Sequence, residues 1–118
     1  RIIADTEERI KECVEKIKAD MSHKYNVVRS TPNFLEFLPK NANKGIALKA
    51  LVEYLKLDEK EIAAIGDEEN DLSMMEYAKY KIAMANANPI LLEQATFITL
   101  DQEHSGVAKA IEYLLLTS

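Results

Sequence analysis

The sequence predicts an α/β fold built on a parallel sheet, and three observations carry this. Ile62-Ala63-Ala64-Ile65 is a short, wholly apolar run ended by Gly66, the pattern of a strand buried on both faces. Good helix formers follow it, with apolar positions at Leu72, Met75 and Ala78. Two more apolar runs, Tyr80-Lys81-Ile82-Ala83-Met84 and Thr96-Phe97-Ile98-Thr99, read as further strands of the same core, with a short helix between them.

Taken in order, the chain starts with an amphipathic helix from about Asp5 to Met21. Ile10, Cys13, Val14, Ile17 and Met21 fall on one face of a 3.6-residue period, which makes Cys13 buried filler. Asp5 or Thr6 can cap it, with Glu8 three residues after Asp5 as in a capping box. Tyr25 to Ser30 and Phe34 to Leu38 read as two strands joined by the turn residues Thr31-Pro32-Asn33. Asn43 is a good N-cap for a helix running to about Lys56, with an apolar face of Ala47, Leu48, Ala50, Leu51, Val52 and Leu55. Asn88 followed by Pro89 is a cap-plus-first-turn pairing for another short helix. Ser105 can cap the last helix, whose core face reads as Val107, Ile111, Leu114 and Leu115.

The chemistry gathers at Gly66-Asp67-Glu68-Glu69-Asn70-Asp71. Asp67 stands just past the carboxyl end of a strand and Asp71 near the start of a helix, where open α/β sheets bind ligands. Two carboxylates and an amide are hard oxygen donors, suited to Mg²⁺ at about 2.1 Å with several waters retained. The same residue types are common in turns and at N-caps, so Asn70 or Asp71 can equally serve as a helix cap. Glu68 and Glu69 read as solvated loop charges. Lys44 lies in the first turn of its helix, where the macrodipole favours anions, so its placement hints at an anion nearby.

Ile65-Gly66-Asp67-x-x-Asn70-Asp71-x-x-Met74 resembles motif IV of the haloacid dehalogenase (HAD) phosphatases, in particular the Cof-type subfamily. Asn43-Lys44-Gly45 resembles the family's motif III, and Gly106-Val107-Ala108-Lys109-Ala110 its closing helix. The resemblance covers essentially the whole chain. It implies the second half of a Rossmann-like parallel-sheet core over residues 41–118. Residues 1–40 then form the last helix-plus-hairpin unit of an α/β cap that selects the substrate. It further implies a Mg²⁺-dependent hydrolase of small phosphorylated metabolites such as sugar phosphates. Asp67 would be a direct metal ligand, with Asn70 supporting the loop or contacting metal water. Asp71 would hold metal water or orient Lys44, and Lys44 would stabilise the charge between nucleophile and phosphoryl group. Asn86 is carried over only as a substrate-side neighbour. Where relatives usually have Gly, this chain has Ala85.

In the family the nucleophile is the first Asp of an Asp-x-Asp motif, which becomes an aspartyl phosphate. These residues contain no Asp-x-Asp, and the chain begins with Arg1. The resemblance therefore implies that nucleophile, the rest of the cap and the central strand lie upstream, and that the fragment alone is inactive. The strand at 62–65 would then show an open edge that invites the missing half or a second copy to pair. The alternative reading is a non-catalytic HAD-fold binding or interaction domain.

Composition narrows the remaining classes. A formal charge of -5 disfavours nonspecific nucleic-acid and anionic-membrane partners. No apolar run approaches the roughly 20 residues of a membrane span. One cysteine permits no internal disulfide, which fits the cytoplasm. Neither His23 nor His104 has a catalytic partner implied by spacing.

Overall fold

A computed structural model of the chain describes residues 2–3, 7–31 and 34–117. Two three-stranded sheets organise the described residues. The first is antiparallel, with strand order β1 (Ile2–Ile3), β3 (Phe34–Pro39), β2 (Tyr25–Thr31). The second is parallel, in the order β4 (Ala63–Gly66), β5 (Tyr80–Ala83), β6 (Phe97–Ile98). Among the described residues five α-helices accompany them: α1 (Glu7–Met21), α2 (Lys44–Tyr54), α3 (Leu72–Tyr77), α4 (Pro89–Gln94) and α5 (Gly106–Thr117).

Helix α1 starts within two residues of the expected position. The caps Asp5 and Thr6, and the turn residues Pro32 and Asn33, lie outside the described residues. Val14, Ile17 and Met21 are half-buried, but Cys13 is exposed, which corrects its reading as core filler. Strands β2 and β3 form the expected hairpin, Val27 opposite Phe37, with a register shift between Arg29 and Thr31. Phe37 meets Tyr25 edge-on, ring centroids 6.2 Å apart, so it packs within the hairpin. The β1 strand had no local signal beyond two isoleucines.

In the second half, Ala63 pairs with Tyr80 and Gly66 with Ala83, and Ile82 then pairs with Phe97. The core between this sheet and its helices contains Ala64, Met75, Ala83, Met84 and Leu91. Small alanines let α3 and α4 approach the sheet, and Met75 and Leu91 fill the remaining space. The β4 strand is outermost in this sheet, with β5 as its one neighbour among the described residues.

Two helix faces depart from the periodicity. On α2 only Gly45 and Val52 are buried, while Leu51 and Leu55 are exposed. On α5 the buried positions are Gly106 and Ala110, not Val107, Ile111 or Leu115. The physical reason on α5 is close approach: a Cβ on Gly106 would lie 2.0 Å from the Leu100 carbonyl oxygen. Tyr113 then stacks on Phe97 with centroids 3.9 Å apart, tying the helix to the last strand. Helix α2 ends with Lys56 in the left-handed conformation. Leu57 N donates to Val52 O and Lys56 N to Glu53 O, a Schellman closure made without glycine. No described helix is long and apolar enough to cross a membrane.

Candidate functional site

The loop leaving β4 and the N-terminus of α2 meet at Asp71. This residue closes a 3-10 turn, Glu69–Asp71, that runs straight into α3. Its carboxylate is buried and fully engaged. One oxygen, Oδ1, accepts from Lys44 Nζ. The other, Oδ2, accepts from the backbone N–H of Asp67 at 3.1 Å and of Glu68 at 3.3 Å. Asp71 thus folds the loop back on itself and holds the Lys44 ammonium at its rim. Lys44 remains half-exposed, so its charge still faces solvent. The anion hinted at by a lysine in a first helical turn is, within this chain, Asp71.

Gly66 makes the arrangement possible. A Cβ there would come within 2.5 Å of the Asp71 Cβ. Without a side chain at the strand end, the carboxylate tucks beneath it. Two more bonds fix the α2 terminus. Asn43 Oδ1 caps it by accepting from Ile46 N at 2.7 Å, and Gly45 N donates to Ser73 Oγ at 2.9 Å. Ser73 had no assigned role in the sequence, because its acceptor function depends on a helix 28 residues away in the chain.

Burial, and next the neighbouring Asp71 charge, push the Asp67 carboxyl above its usual range. For Asp71 burial also acts upward, but the hydrogen bonds from Lys44 and the two backbone N–H groups outweigh it and hold the carboxyl low. Two carboxylates with opposed shifts therefore sit side by side, and the Lys44 ammonium is hydrogen-bonded to Asp71. A hard cation at Asp67 would relieve the remaining imbalance. Among the described residues no cluster of three or more acidic, histidine or cysteine side chains surrounds a common point. The chain thus offers a partial oxygen set of Asp67 and the half-buried Asn70.

Asn86 stands exposed beyond β5, at the same carboxyl end of the parallel sheet as Asp67. Asn88 is bound into the site loop by its backbone, donating to Asp67 O at 2.7 Å. The side chain of Asn88 caps α4, accepting from Ile90 N at 3.1 Å. Glu68 and Glu69 are not solvated loop charges, contrary to expectation. Both are half-buried, Glu69 is ion-paired with Lys18 of α1, and the Arg29 charge of β2 acts on Glu68. Next to the loop a cleft of about 570 Å³ separates the hairpin (Asn26, Val28, Leu38) from Lys44, Asn70 and Leu72, a volume ordinary for small-molecule sites.

Residues 2–111 match the haloacid dehalogenase-like hydrolase family. YxeH of Bacillus subtilis (strain 168) is 42% identical over 112 residues, covering 95% of this chain and 42% of that protein. The 5-amino-6-(5-phospho-D-ribitylamino)uracil phosphatase YwtE of the same organism is 38% identical over 104 residues, 86% of this chain and 36% of its own. A solved haloacid dehalogenase-like hydrolase from B. subtilis superposes with a TM-score of 0.82 at 30% identity, covering 95% of this chain and 39% of that one. The chain thus spans less than half the length of the relatives it matches.

Proposed function

Because the chain belongs to the haloacid dehalogenase-like hydrolase family, we propose that it supplies the Lys44, Asp67, Asn70 and Asp71 side of a Mg²⁺-dependent phosphatase site. The substrates are small phosphorylated metabolites such as sugar phosphates. The observation that carries this reading is the Lys44–Asp71 pair closed over Asp67 at the carboxyl end of β4. A phosphatase site needs a fixed cation beside hard oxygen donors, and Lys44 held by Asp71 next to Asp67 supports that reading.

Asp67 would be the direct ligand for Mg²⁺, and Asn70 would support the loop or contact the metal's water. Asp71 would hold the metal's water or orient Lys44. The ion would supply neutralisation of charge on the phosphoryl oxygens. Lys44 stabilises the negative charge that builds as an attacking carboxylate oxygen bonds to phosphorus and the ester P–O bond breaks, the released oxygen taking a proton. Water then attacks the aspartyl phosphate, releasing inorganic phosphate and restoring the carboxylate. That nucleophile is not among these 118 residues, which hold no Asp-x-Asp, so it comes from preceding sequence of the same protein. Asn86, at the same sheet end, faces the substrate side. Residues 1–40 are the end of the cap and 41–118 the second half of the core. The outer edge of β4 is where the missing half, or a second copy, pairs. Cys13 is a free, exposed thiol, which suits a reducing cytoplasm.

The test is Mg²⁺-dependent hydrolysis of an aryl phosphate by the 118-residue chain alone, by the chain mixed with its upstream half, and by the mixture carrying Asp67→Asn. Activity confined to the unmodified mixture is expected. Turnover by the chain alone would overturn the assignment of the nucleophile. Silence in every arm, with the halves shown to associate, would favour a non-catalytic binding domain.

A further inference from the structure

The Lys18–Glu69 ion pair joins two parts of the chain 51 residues apart. Lys18 lies in the last turn of α1, on the helix-and-hairpin side, and Glu69 opens the 3-10 turn that ends at Asp71. Both side chains are partly withdrawn from water, 33% and 18% exposed, so the contact is more than a surface pairing. It does not stand alone. The edge strand β2 lies against the same turn. An acid of the site loop is thus met by a cation from the first 31 residues, and Glu69 itself lines the cleft that Lys44 and Asn70 help to line.

We propose that Lys18 is a positioning residue: by anchoring Glu69 it locks the helix-and-hairpin unit onto the loop 67–71 and sets the geometry of Asp67 and Asp71. Nothing in Lys18 touches the candidate site itself. Its influence passes through the backbone of a three-residue turn whose other end is the Lys44 partner. Releasing the latch lets the turn loosen and the two sheets part along the cleft. The inference rests on reading 67–71 as the functional loop, but its test reads loop protection and not turnover, so the two can fail separately.

The experiment is native-state amide hydrogen exchange on the protein with Lys18→Met, with Glu69→Gln, with both, and with the exchanged pair Lys18→Glu plus Glu69→Lys. Each single substitution is expected to speed exchange at Asp67, Glu68 and Asp71 by about fivefold, the effect of losing one partly buried pair. The β5 amides, remote from the latch, should be unchanged. The double variant should be no faster than either single one, and the exchanged pair should return toward the original rates. Unchanged protection of 67–71 in the singles, additive effects in the double, or equal acceleration at β5 would overturn the proposal.

Discussion

Replacing Asp71 by Asn tests the centre of the site most sharply, because the substitution keeps the shape and changes only what each atom can do. All three partners of the carboxylate are donors: Lys44 Nζ on one oxygen and the N–H groups of Asp67 and Glu68 on the other. An amide has a single oxygen, so in either orientation its NH₂ opposes a donor. The better orientation keeps the two backbone bonds and turns NH₂ toward Lys44, which is half-exposed and can swing into water. The loss is then one charge-assisted bond, about 2 kcal/mol for a pair with one solvated partner. Removing the Asp71 charge also relieves Asp67, whose carboxyl is pushed upward by burial first and by that charge next, so part of the loss is offset. A net cost of about 1.5 kcal/mol lowers the urea midpoint by about 0.8 M at an m-value near 2 kcal/mol/M. Asp71→Ala, which strands both backbone N–H groups as well, should cost at least about 1 kcal/mol more. The assay is urea denaturation of the three proteins followed by circular dichroism. A midpoint for Asp71→Asn at or above that of the unaltered protein would refute the claim that this carboxylate holds the loop, as would an alanine variant no worse than the asparagine one.

The same carboxylate predicts a pH dependence. Asp71 is held below its ordinary 3.8, so on acidification the unfolded chain takes up the proton first. The stability it contributes is complete above that value and is lost as pH falls through the folded-state value. The midpoint gap between the unaltered protein and Asp71→Asn should therefore be flat from about pH 7 to 5 and narrow below about pH 4, as urea titrations at several pH values would show. Gly106→Ala should destabilise by about 2–3 kcal/mol, because the added carbon meets a backbone carbonyl that cannot rotate away. Thermal unfolding measures this, and a neutral result would mean that α5 does not pack as closely as described.

Much of the fold was legible because its signals are local. Asn43 and Asn88 cap the helices they were read to cap, since a side-chain oxygen two or three residues ahead of a free N–H needs no tertiary help. The run from Ile62 to Ile65 reads as a strand because an apolar stretch ended by Gly has few other uses. Lys44 carried its own clue, a cation placed where the helix dipole repels it. Ser73 and Lys18 carried none. Each is an ordinary residue until a partner 28 or 51 positions away is brought to it.

The sequence by itself determined the order of the main helices and strands from α1 onward, the family and the residues at which charge collects, because these rest on spacing and on side-chain chemistry. Tertiary structure alone decided which faces are covered. An amphipathic period says only that a helix offers an apolar side. On α5 the covered side is Gly106 and Ala110, because steric access to Leu100 outweighs hydrophobicity, and Cys13 is exposed despite its place on the stripe of α1. Tertiary structure also decided the states of Glu68 and Glu69. A carboxylate in a loop is solvated unless other parts of the chain cover it or bring a cation to it; here α1 brings Lys18 to Glu69, and burial pushes the Glu68 carboxyl above its usual range.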